Sequence, residues 1–96
     1  METYFMFLNW TEQGIRNIKD SPKRLDAAKK AIKEAGGAVK SFYMLQGSHD
    51  AVIIAEMPSA DKLAAFVLKI GGLGNVRTTT VRAYTEDEYR KILGGL

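Results

Sequence analysis

The sequence contains no cysteine, one histidine, one tryptophan and two prolines in 96 residues. Without cysteine there is no disulfide framework, no thiolate nucleophile and no zinc ribbon. One histidine cannot build a multi-imidazole centre, so a metal would need carboxylates or copies of His49 from several subunits. No metal and no cofactor is expected. No apolar run approaches the ~18 residues of a membrane span. The opening Met1-Glu2-Thr3-Tyr4 lacks the basic patch, apolar stretch and small-residue cleavage site of a signal peptide. The chain is read as cytoplasmic, with no membrane partner.

Charge of one sign is scarce except in one segment. The formal charge is +3, and Arg16 to Lys40 holds eight basic and three acidic residues, while Ser41 to Leu96 balances at six of each. Lys29, Lys30 and Lys33 share their expected helix with Asp26 and Glu34 and with no aromatic residue. A nucleic-acid surface adds groove-reading or stacking side chains to its basic patch, so this is read as a solvated helix face and no nucleic-acid partner is expected. Residues 1–96 form a single domain with a modest core, because a chain of this length buries roughly 60 to 70% of its unfolded surface.

What the sequence does announce is a hairpin. Val39 to Gln46 and Ala51 to Glu56 are apolar, β-rich runs separated by Gly47-Ser48-His49-Asp50. Ahead of it, Thr3 to Trp10 is a strand with two apolar faces, Tyr4, Met6, Leu8 and Trp10 on one and Phe5 and Phe7 on the other. It must therefore be covered on both. Thr11 to Asp20 is a polar connection with room for a helical turn before the next element. Ser21-Pro22 reads as N-cap and first residue of a helix reaching about Ala35, with Gly36-Gly37 as its stop. Pro58-Ser59 opens a second helix whose stripe is Leu63, Phe66, Val67 and Ile70, closed by Gly71-Gly72. Asn75 to Ala83 is a β-branched, charged strand suited to an edge. Thr85 and Glu88 form a capping box for a short tail helix, expected to dock through Tyr89, Ile92 and Leu93.

The order β-α-β-β-α-β is the split pattern of an α+β, ferredoxin-like sandwich with a short C-terminal helix, two helices covering one face of a four-stranded antiparallel sheet. The other face keeps apolar side chains and needs a cover. The simplest cover is a second copy, which gives a dimeric α+β barrel, so a homodimer or higher even multimer is expected; the alternatives are a partner protein or an exposed ligand platform.

Leu8 to Arg24 (Leu-Asn-Trp-Thr-Glu-Gln-Gly-Ile-Arg-Asn-Ile-Lys-Asp-Ser-Pro-Lys-Arg), the Gly36-Gly37 break with Ser41-Phe42-Tyr43, the Gly47 to Asp50 turn, and Leu73-Gly74-Asn75-Val76-Arg77-Thr78 leading to Thr85-Glu86-Asp87-Glu88-Tyr89 resemble the GYD domain family. The resemblance covers nearly the whole chain. It implies the dimeric α+β barrel fold and no particular activity. Where the family pattern places a tyrosine before the aspartate, this sequence has His49, so a role requiring a phenol there is not carried over.

Several residues have a chemical reading beside a structural one. His49 and Asp50 are a base with its orienting carboxylate, or polar turn residues. Asn9, Trp10 and Arg16 lie where the first strand ends: they line a cleft, with Arg16 holding an anion and Trp10 stacking on a ring, or Trp10 is core and Arg16 a loop ion-pair partner. Tyr43 offers a hydroxyl to that cleft or packs with a wet tip. The pattern points to a small-molecule binding or sensing module working as a homo-oligomer, with a small organic ligand. The alternative is a cofactor-free enzyme of isomerase or oxygenase type acting on an aromatic or lactone-like substrate, a reading that rests on fold analogy.

Overall fold

The computed structural model describes Met1–Leu96. The elements run β1 (Glu2–Trp10), α1 (Glu12–Arg16), a 3₁₀ turn (Ile18–Asp20), α2 (Ser21–Glu34), β2 (Ala38–Met44), β3 (Ala51–Met57), α3 (Ala60–Gly72), β4 (Val76–Ala83) and α4 (Glu86–Gly94). The four strands make one antiparallel sheet in the order β2-β3-β1-β4, which is the ferredoxin-like arrangement that the sequence pattern predicts. The doubly apolar β1 takes a central place, and the charged β4 takes an edge.

Alternation divides each strand between two environments. Tyr4, Met6 and Leu8 of β1, with Ala51, Ile53, Ala55 and Met57 of β3, are buried under the helices. They form one core with Ile32 of α2 and Leu63 and Phe66 of α3. Ile32 is fully enclosed, and removing its branches to alanine costs about 2–5 kcal/mol. The thinnest dimension of the molecule is 18 Å, which is one helix layer on one sheet. No helix packs on the far side of the sheet, where Tyr43 and Val81 stay exposed.

Two helix boundaries differ from the sequence reading. Ser21 is already helical (φ −55°, ψ −41°) and its backbone N–H donates to the Ile18 carbonyl, so it is not the N-cap; Asp20 is, without a side-chain bond. The 3₁₀ turn runs directly into α2 and supplies an acceptor that a side-chain cap otherwise provides. Gly71 and Gly72 lie inside α3, and the left-handed residue after it is Gly74, φ +84°. Gly36, φ +90°, stops α2, where the Gly37 N–H returns to the Ile32 carbonyl at 2.9 Å.

The tail helix keeps its cap and loses its dock. The Thr85 N–H donates to Glu88 Oε1 at 2.9 Å and the Glu88 N–H to Thr85 Oγ1 at 3.2 Å, a complete capping box. Tyr89, Ile92 and Leu93, however, are 56%, 51% and 46% exposed. An amphipathic stripe says that one helix face is apolar; here the rest of the chain does not cover it. The Arg82–Glu88 ion pair at 3.5 Å tethers α4 to β4.

Candidate functional site

The register builds the open sheet face in rows. Tyr43, Val52, Phe7 and Thr79 are cross-strand partners; Ser41, Ile54, Phe5 and Val81 form the next row. Val81 and Tyr43 are 45% and 57% exposed. Beyond Phe7, Asn9 stands opposite Arg77 and gives this end of the face its polarity.

His49 folds back over that end. Its imidazole stacks on Phe7, with centroids 4.9 Å apart and planes at 30°. The Asn9 amide is oriented by Nδ2, which donates to the Ser48 carbonyl at 3.0 Å. Asn9 Oδ1 therefore faces His49 Nδ1 as an acceptor at 2.9 Å, which in the neutral ring favours the proton on Nδ1 and leaves Nε2 as the acceptor.

Asp50 is not the partner of that imidazole. Its Oδ2 accepts the Trp10 backbone N–H at 2.9 Å, while its own N–H donates to the Leu8 carbonyl at 2.8 Å. Within the loop between β2 and β3, His49 goes to the open face and Asp50 stitches the loop to the end of β1. The structure thus gathers Asn9, His49 and Tyr43 on the open face and gives Asp50 a structural contact. Arg16 sits on α1, exposed, with Glu12 Oε1 at 3.4 Å, which is the ion-pair alternative. No three histidine or acidic side chains converge as metal ligands.

Trp10 points the other way, toward the helices. It lines a cavity of about 80 Å³ between α2, α3 and the sheet, with Leu8, Leu25, Ala28, Phe42, Ala51, Ile53, Ile70, Leu73 and Val76. The only polar side chains on it are Ser21, Arg24 and Asn75. Arg24 donates from Nη1 to the Asn17 carbonyl at 3.0 Å and from Nη2 to the Gly14 carbonyl at 3.3 Å. Gly14 is obligatory because an added Cβ would strike the Asn75 carbonyl oxygen. Sequence reasoning missed all three polar lining residues. The available signal was spacing: Ser21, Arg24 and Ala28 follow at i, i+3 and i+7, which puts a cation on the face of α2 that carries Leu25 and Ala28 against the core.

The opposite end of the sheet holds a second polar group. The Tyr4 phenol donates to Glu2 Oε1 at 2.5 Å, and this bond together with burial pushes its pKa up. Arg82 lies over the Tyr84 ring at 4.3 Å. The bond from the Thr85 backbone N–H holds the Glu88 carboxyl below its usual value, with Arg82 adding to the effect.

Solved structures with this fold include the leucine response regulatory protein LrpA of Mycobacterium tuberculosis, at 24% identity and TM-score 0.65, covering 88% of this chain and 51% of that one. A feast or famine regulatory protein of M. tuberculosis complexed with L-methionine shares 21% identity at TM-score 0.66, covering 90% and 54%. A hypothetical protein of Pyrococcus horikoshii shares 23% at TM-score 0.58, covering 90% and 93%. The chain spans about half the length of the regulators it matches. At these identities the likeness carries the fold alone. No curated protein matches the sequence. The family model for the GYD domain matches residues 4–93, and the chain belongs to the GYD domain family.

Proposed function

We propose that this chain is a small-molecule binding or sensing module of the cytoplasm that works as a homo-oligomer. The observation that carries the reading is the cavity beneath α2 and α3, apolar in its body and polar only through Ser21, Arg24 and Asn75, the usual form of a site for a small organic molecule. Trp10 lies against the ligand in this reading. The resemblance in fold to a regulatory protein complexed with L-methionine supports a ligand-responsive role. Self-association follows from the uncovered sheet face: a twin laid over Phe5, Phe7, Ile54 and Val81 encloses them, with Asn9, His49 and Tyr43 in the inter-subunit space. Native mass spectrometry of protein purified without stripping, alongside light scattering, tests both parts. A dimer or larger even multimer carrying a small molecule is expected. A ligand-free monomer at micromolar concentration overturns the reading.

One observation favours a second reading, a cofactor-free enzyme. Asn9 fixes the His49 proton on Nδ1 and leaves Nε2 free to take a proton from a substrate on the open face. NMR of enolisable aromatic ketones and lactones in D2O tests it. Solvent deuterium incorporation that disappears in His49→Gln supports it, and incorporation at the uncatalysed rate removes it.

A further inference from the structure

We infer that the cavity beneath α2 and α3 selects a short apolar carboxylate rather than an alcohol, an amine or an amino acid; this rests on the binding-module reading and names its ligand class. Each of the three polar lining residues carries a donor group, and only the Ser21 hydroxyl and the already engaged Asn75 Oδ1 can also accept. The Arg24 guanidinium has five N–H groups, and its two bonds within the protein go to neutral backbone carbonyls. No carboxylate pairs with it among the ion pairs of the chain, so a half-buried cation at an apolar cavity keeps its charge uncompensated. Asn75 uses its Oδ1 to accept the Gln13 amide at 3.0 Å, which leaves Nδ2 as the free end of that amide. Ser21 adds a hydroxyl. An anion with acceptor oxygens satisfies this set, and charge-assisted bonds to guanidinium are the strong ones.

The same lining excludes an ammonium group. No acidic side chain faces the cavity, so an α-amino acid would bring a cation beside Arg24 with no counter-charge. Size sets the rest. A cavity of about 80 Å³ holds roughly five to eight waters, enough for a chain of a few carbons whose carboxylate reaches Arg24. Trp10, the only tryptophan, lies in the wall and reports occupancy directly.

Titration of Trp10 fluorescence with pentanoate, pentanol and pentylamine, carbon chains matched, tests the inference. Pentanoate is expected to bind about tenfold or more tightly than pentanol, with pentylamine weakest, since one charge-assisted bond is worth at least that factor. Arg24→Gln is expected to abolish the preference for pentanoate over pentanol. Because Arg24 also holds the α1 loop, Ala28→Leu provides a second variant: it fills the cavity and is expected to remove every response while the thermal midpoint holds. Equal binding of pentanoate and pentanol overturns the carboxylate inference and leaves the binding module standing. No response of Trp10 to any of the three probes overturns the carboxylate inference, and the binding module falls with it only if the protein also purifies ligand-free by native mass spectrometry.

Discussion

His49 and Phe7 lie face to face with ring centroids 4.9 Å apart, so the single imidazole of the chain belongs to the open sheet face and not to a solvated loop. Asn9 holds it there. Asn9→Ala removes the acceptor at Nδ1 and costs about 0.5–1.5 kcal/mol. It also releases the tautomer. Imidazole ¹⁵N shifts are expected to show the proton on Nδ1 in the parent and a mixture in the variant; an unchanged tautomer would show that Asn9 does not set it.

Asp50→Ala leaves the Trp10 N–H without its carboxylate acceptor. A hydrogen bond to a charged group is worth about 1.5–3 kcal/mol, and partial exposure puts this one at the lower end. The urea midpoint should fall, and exchange of the Trp10 amide should accelerate. A midpoint equal to the parent's would mean that water replaces the carboxylate there.

Val81→Glu places a charge on the open face at a position 45% exposed in the single chain. It is expected to keep the fold and to turn the proposed dimer into a monomer by light scattering, because a carboxylate buried between two sheets lacks a partner. Retention of the dimer would move the interface elsewhere, with the exposed stripe of α4 as the next candidate.

Thr85→Ala removes the acceptor of the Glu88 N–H, a loss of about 1 kcal/mol. Since α4 has no buried residue, the loss belongs to local fraying, not to global unfolding. Amide exchange at Glu88 should quicken while the denaturation midpoint stays near its parent value. A fall in the midpoint by the full amount would show that α4 is docked in solution.

Two pKa directions give opposite pH windows. Glu88 is depressed in the folded state, so its stabilisation is present above the unfolded value and is lost as pH falls through the folded one; Glu88→Gln should flatten the acid limb of α4 helicity. Tyr4 is raised, so its contribution is complete below the unfolded value near 10 and is lost as pH rises through the folded one. Ultraviolet titration should find one late-ionising phenol, absent in Tyr4→Phe.

The sheet, its order and its covered face were legible because period-two alternation in β1 and β3 and the Gly-rich turns leave one register that buries both strands. The site was less legible. His49 and Asp50 look like a pair in sequence, yet the loop that carries them gives each a different partner, Asn9 and Trp10, some forty positions away. The cap at Ser21 failed because a preceding 3₁₀ turn supplies the acceptor from the backbone. The apolar stripe of α4 was read correctly as apolar and wrongly as covered, since periodicity specifies a face and not its neighbour.

One corner of the molecule bears on how the chain reaches this structure. Thr11 donates from its backbone N–H to the Asn75 carbonyl and from Oγ1 to the Gly74 carbonyl, while Gln13 reaches the Leu73 carbonyl, across separations of 60 to 64 positions. Closing so long a loop is entropically costly until β1 and β4 are already paired. The corner is therefore expected to form late in folding, so that substitutions at Thr11 or Asn75 speed unfolding and leave the folding rate nearly constant; a slowed folding limb would place it in the transition state instead.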